Sequence, residues 1–130
     1  TTRLSALRAT VNAERIEAVV PVPLSGWKER WRGFSQTRDL ANIIARELNL
    51  PTVDCVQRRH QLITQANLSE DVRKTSFSKN PFYIKEGAEV PNRVLIVDDV
   101  ETTGATMKAV ESVLREAGVE LVVKWSLAKG

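Results

Sequence analysis

The chain has 130 residues, of which 42% are hydrophobic and 27% charged, and its formal net charge is +3. That length and balance suit one globular domain with a real core, and the mild basic excess does not by itself imply a nucleic-acid partner. No apolar run approaches the length of a membrane span, and residues 1–13 lack the basic start and apolar run of a signal peptide. Cys55 is the only cysteine, which excludes an internal disulfide and a multi-cysteine metal site. A lone thiol fits a reducing compartment, so a cytoplasmic location is expected. The chain opens on Thr1 rather than Met, so it is expected to be a piece of a longer protein.

Leu4, Leu7 and Val11 recur at helical spacing and predict an amphipathic helix over residues 3–13. Ile16 to Val22 is a β-branched run ended by Pro21 and Pro23, a strand entering a loop. The loop from Leu24 to Phe34 carries Trp27, Trp31, Lys28, Arg30 and Arg32. From Ser35 to Asn49 the positions Leu40, Ile43, Ile44 and Leu48 follow the helix period, and Pro51 closes the segment. Val53–Val56 predicts a second short strand with Cys55 as a small core residue. His60, beside Arg58 and Arg59, reads as a surface residue rather than a catalytic base.

Residues 57–92 carry Arg58, Arg59, Arg73, Lys74, Lys79 and Lys85 with little periodicity, and only Phe82–Ile84 resembles a strand. So long a stretch with weak structure in a small domain predicts a flexible hood over a site, most mobile at residues 68–80. The pattern then sharpens. Val94–Val97 is a continuous apolar run, as in a central parallel strand covered on both faces, and Asp98 and Asp99 end it. Thr106–Ala117 predicts a helix with Met107, Val110, Val113 and Leu114 inward and Gly118 just past its end. Val119, Leu121, Val123, Trp125 and Leu127 alternate with polar residues, a half-buried last strand. Strand, helix and strand in this order predict an α/β fold, with a parallel sheet of Ile16–Val22, Val53–Val56, Val94–Asp98 and Val119–Leu127.

Ligands of open α/β sheets lie beyond the carboxyl ends of the strands, and the segment from Asp98 to Thr106 leaves such an end. Gly104 lets the backbone come close to a ligand, and the N–H groups at a helix start favour an anion. The hydroxyls of Thr102, Thr103 and Thr106 add donors, each worth roughly 1.5–3 kcal/mol toward a charged group. Two carboxylates beside an anion site make sense if the ligand also offers hydroxyls. Asp98 and Asp99 suit the vicinal diol of a ribose, and the loop suits the 5-phosphate of the same sugar. The sequence has no G-x-x-x-x-G-K-[ST] and no G-x-G-x-x-G, so the phosphate motifs of Walker-type ATPases and dinucleotide enzymes are absent.

Val94-Leu-Ile-Val-Asp-Asp-Val-Glu-Thr-Thr-Gly-Ala-Thr106 resembles the phosphoribosyl pyrophosphate signature of type I phosphoribosyltransferases. Val20-Pro-Val-Pro-Leu24, Arg32-Gly-Phe-Ser-Gln36 and Gln65-Ala-Asn-Leu-Ser69 with Arg73 resemble the competence protein F (ComF/GntX) family. Ser35 and Ser76 stand where that family tends to have Asn, and Glu101 where it has an aromatic residue. Many members carry an upstream four-cysteine zinc module. The 130 residues, expected to form one phosphoribosyltransferase-like domain, do not contain it.

The resemblance implies a three-layer doubly wound sheet and a ligand such as phosphoribosyl pyrophosphate or a nucleotide, with Mg²⁺ held indirectly through that ligand by Asp98 and Asp99. It makes Leu24–Lys28 a pyrophosphate loop. The implied ligand contacts are Leu24, Ser25, Lys28, Arg32, Asp98, Asp99, Glu101, Thr102, Thr103, Gly104, Ala105 and Thr106. Glu101 either weakens phosphate binding or joins the metal shell. For catalysis the expected groups are Asp98, Asp99 and Arg73, with Arg73 or Lys74 closing over the pyrophosphate while a nitrogen acceptor attacks ribose C1. The alternative is a non-catalytic ligand-binding module acting with DNA-uptake proteins; direct single-stranded DNA binding is a third reading. A homodimer is the expected assembly.

Overall fold

The computed structural model describes residues 2–23, 36–59, 80–101 and 103–129. Its elements run α1 (Thr2–Ala13), β1 (Ala18–Pro21), α2 (Gln36–Leu48), β2 (Val56–Arg58), β3 (Phe82–Ile84), β4 (Arg93–Glu101), α3 (Ala105–Glu116) and β5 (Leu121–Lys129).

The apolar run in β4 makes it the middle strand. It pairs in parallel with β1 on one side and β5 on the other. Val94, Leu95, Ile96 and Val97 are wholly buried because the sheet is covered on both faces. Val94 and Ile96 pack with Val20, Val22 and Val122 against Met107, Val110 and Leu114 of α3. Leu95 and Val97 pack with Val19 against Leu7 and Val11 of α1 and Ala41, Ile44, Ala45 and Leu48 of α2. Over these residues the strands therefore alternate, with Val94, Ile96 and Val122 facing α3 and Leu95, Val97, Leu121, Val123 and Trp125 facing α1 and α2. The ion pair of Lys124 with Glu111 of α3, at 2.7 Å, confirms the side for β5.

The three described helices end alike. Arg15 (φ 54), Asn49 (φ 57) and Gly118 (φ 102) take left-handed backbone. The N–H groups of Ile16, Leu50 and Val119, each one residue later, reach back five residues to the carbonyls of Val11, Ala45 and Leu114. That is the Schellman pattern with its apolar anchor. It throws the chain from each helix into the strand or segment that follows.

The expected fourth parallel strand, Val53–Val56, is corrected. Only its start joins the sheet, through a parallel bridge between Thr52 and Val19 and a bond from the Val53 N–H to the Val19 carbonyl at 2.8 Å. The chain then turns away, and Val56–Arg58 pairs antiparallel with Phe82–Ile84. Cys55, Val56 and Phe82 drive the turn because all three are buried under α3 in the core of that face. Residues 57–92 are thus no loose hood throughout. Asn80 Nδ2 donates to the Ala109 carbonyl of α3 at 2.8 Å, and Asn80 Oδ1 accepts the Phe82 N–H. Residues 60–79, with most of the segment expected to be mobile, lie outside the described residues.

Two side chains placed in the core are exposed instead, Ile43 at 56% and Leu127 at 51%. The buried stripe of α2 runs through Ala41, Ile44, Ala45 and Leu48, which puts Ile43 one position off it. Small alanines set that stripe, and a pattern of large apolar residues overlooks them. On β5 the cover of the α1 face ends at Trp125, over whose ring the Arg3 guanidinium sits at 4.9 Å from the centroid. Leu127 lies one step beyond.

Candidate functional site

β1, β4 and β5 all point their carboxyl ends to one edge of the sheet, and α2 and α3 both begin there because each follows a strand through a crossover. The β1 chain leaves beside the acids: the Val22 N–H donates to the Val97 carbonyl at 2.9 Å, one residue before Asp98. Asp98 and Asp99 do not end β4 as expected. The strand continues through Glu101, pairing Asp98 with Ser126, Val100 with Ala128 and Glu101 with Lys129.

At and just beyond the first of these pairs three backbone groups bond to side chains. The Asp99 N–H donates to Asp98 Oδ1 at 2.8 Å. The Leu127 carbonyl accepts from Arg3 Nη1 at 2.7 Å, and the Ser126 carbonyl accepts from Arg3 Nη2. The two carboxylates differ in burial: Asp98, which continues the register of Val94 and Ile96, is 6% exposed, and Asp99 is half-buried.

The β4–α3 connection is short and its shape is set by Gly104, which caps the helix at φ 81 and ψ −3, a left-handed conformation that favours glycine. Gly104 has no side chain to cap α3 and no acidic residue stands in the first turn, so the positive end of the helix dipole favours an anion there. One of its donors is engaged, because the Ala105 N–H bonds to Thr103 Oγ1 at 3.2 Å. Met107, 1% exposed, pins the turn to the core, while Thr103, Ala105 and Thr106 face solvent.

The structure therefore gathers Asp98, Asp99, Thr103, Gly104, Ala105 and Thr106 at one sheet edge. Leu24, Ser25, Lys28, Arg32, Arg73 and Thr102 lie outside the described residues, as do Trp27, Trp31, His60 and Lys74; Glu101 is placed by its backbone alone. Arg38, in the first turn of α2, pairs with Asp54 at 2.8 Å, and Lys85 joins the same carboxylate at 3.3 Å. Cys55 is buried, and desolvation raises its thiol pKa above the ordinary value, which fits a core residue and not a nucleophile. Sequence reasoning missed Ser126, 5% exposed, and Thr37, whose buried hydroxyl has no hydrogen-bond partner among the described residues. Only the strand register singles out Ser126. Among the described residues no group of three or more His, Cys, Asp or Glu side chains is arranged to hold a metal, and no helix is long and apolar enough to cross a membrane.

Comparison with known proteins places this geometry. Residues 37–126 match the model of the phosphoribosyl transferase domain. Competence protein F of Haemophilus influenzae is 37% identical over 116 residues, covering 87% of this chain and 50% of that protein. The DNA utilization protein YhgH of Escherichia coli is 34% identical over 128 residues, covering 94% of this chain and 53% of that protein. The chain thus spans about half the length of these curated relatives. Among solved structures, the allosteric regulatory enzyme of purine biosynthesis superposes with a TM-score of 0.63 at 21% identity, over 95% of this chain and 24% of that one. That likeness is one of fold, the α/β fold of type I phosphoribosyltransferases. With a match that takes in both acids, the glycine turn and Ser126, the chain belongs to the phosphoribosyl transferase domain family.

Proposed function

We propose that this sheet edge binds a ribose 5-phosphate ligand, phosphoribosyl pyrophosphate above all, and transfers its phosphoribosyl group to a nitrogen acceptor. The observation that carries the reading is the junction of two carboxylates near the end of the middle strand with the start of α3, whose N-cap residue is Gly104. Carboxylates accept from sugar hydroxyls, and a helix start donates to phosphate. In this reading Asp98 and Asp99 take the ribose diol, and the turn from Thr102 to Thr106 takes the 5-phosphate. Leu24, Ser25, Lys28 and Arg32 are the proposed contacts to the pyrophosphate. Arg73 is the further proposed catalytic group.

The donor set fits Mg²⁺, a hard cation that is commonly held by one or two carboxylates together with substrate phosphates. When bound it would neutralise charge on the leaving pyrophosphate. The chain's own part is to orient C1 and to stabilise a cationic ribosyl centre with the two acids.

A second reading, a binding module without turnover that works with DNA-uptake proteins, is favoured by the names of the competence protein F and DNA utilization relatives. Pyrophosphate release separates the two. Incubation of the protein with phosphoribosyl pyrophosphate, Mg²⁺ and a panel of nitrogen bases should release pyrophosphate with at least one base. Saturable binding with no release from any base favours the module.

A further inference from the structure

Ser126 stands directly across the ladder from Asp98, and both polar side chains are buried, at 5% and 6% exposure. Both fall on the α3 face, since Asp98 continues Val94 and Ile96, and Ser126 continues Val122 and Lys124. Parallel neighbours lie about 4.8 Å apart along the ladder, so in-register side chains on one face are within hydrogen-bond reach. A buried hydroxyl at the end of an apolar strand is costly unless it is bonded. A buried carboxylate, an acceptor with room for about four bonds, is the natural recipient. One of those bonds comes from the Asp99 N–H to Oδ1.

We propose that Ser126 is a positioning residue for Asp98: its hydroxyl donates to the Asp98 carboxylate from the neighbouring strand and, with the Asp99 N–H, fixes which oxygen lone pairs face the sugar. Ser126 stands on β5 and not on β4, the strand that leads into the glycine turn, so it acts through Asp98. The inference rests on the ribose reading for its functional half and on the ladder register for its structural half. It extends the site to β5, the strand the acid pair itself does not occupy. Arg3, by holding the Ser126 and Leu127 carbonyls, fixes that strand end in turn.

Two measurements test it on the whole chain. In titrations with ribose 5-phosphate, Ser126→Ala should weaken binding about tenfold, the loss of one hydrogen bond to a charged group. Ser126→Thr, which keeps the hydroxyl, should restore it. Inorganic phosphate should bind both variants as it binds the unsubstituted protein. In urea unfolding of the unliganded protein, Ser126→Ala and Asp98→Ala should be non-additive, with Asp98→Asn replacing the alanine if that variant does not fold. Additive effects, unchanged sugar binding in Ser126→Ala, or equal losses for ribose 5-phosphate and phosphate overturn the proposal. If the unsubstituted protein binds no ribose 5-phosphate, the ribose reading fails, and the unfolding cycle alone decides whether Ser126 holds Asp98.

Discussion

The Asp99 backbone N–H donates to the side chain of the residue before it, Asp98 Oδ1, at 2.8 Å. Adjacent acids in one strand would otherwise be interchangeable in composition; this bond and the difference in burial set them apart. Asp98 is enclosed and holds backbone, while Asp99 is half-buried. Asp98→Ala should therefore cost about 1–3 kcal/mol of stability, the penalty for leaving a buried donor unmet. Asp99→Asn should stay within about 0.5 kcal/mol of the parent. Chemical denaturation of the two variants checks the order, and equal losses would refute it.

Gly118 ends α3 at φ 102, and a Cβ built there meets nothing within 4 Å. The cost of a side chain at this position is therefore one of backbone and not of packing. Gly118→Ala should destabilise by about 1 kcal/mol, and Gly118→Asn by less, because Asn tolerates left-handed backbone. Urea midpoints for the three proteins should fall in the order Gly, Asn, Ala.

Glu111 ties α3 to β5. Its carboxyl is held below the ordinary 4.5, first by the hydrogen bond from Lys124 and further by Arg115. A carboxyl whose folded pKa is lowered binds its proton less readily in the native state than in the unfolded chain. Its contribution is thus fully present above pH 4.5 and is lost as the pH falls through the lowered folded value. Glu111→Gln should narrow the stability difference between neutral and acid pH, leaving the two proteins closest at the acid end. Parallel stability profiles for parent and variant would contradict this.

How much was legible in the sequence varied with the physics of each element. Val94–Val97 announced a central strand because a run buried on both faces must be apolar throughout. The glycine turn was legible because Gly104 follows Thr102 and Thr103 at a strand-to-helix junction and takes the left-handed backbone that such a turn needs. Arg15 and Asn49 end helices in the same conformation as Gly118 but carry no glycine to signal it. The antiparallel pairing of Val56–Arg58 with Phe82–Ile84 joins residues far apart in the chain, which no local pattern encodes. Ser126 was invisible for the same reason, since its meaning comes from standing opposite Asp98. Leu127 misled because alternation tells which side a residue faces and not whether anything covers that side.

The central claim is that the acid pair and the threonine–glycine turn form one ribose 5-phosphate site. The most direct test is the change in melting temperature on adding phosphoribosyl pyrophosphate with Mg²⁺, compared among the parent, Asp99→Asn and Thr103→Val. A ligand that binds only the folded state stabilises it by roughly 2.7 kcal/mol at a hundredfold excess over its dissociation constant, so the parent should melt several degrees higher. Asp99→Asn should lose much of that shift, because an amide accepts fewer hydrogen bonds from the diol than a carboxylate does. Thr103→Val should lose it as well, for want of a donor to the phosphate, while both free variants melt close to the parent. A full shift in both variants, or none in the parent, would contradict the account.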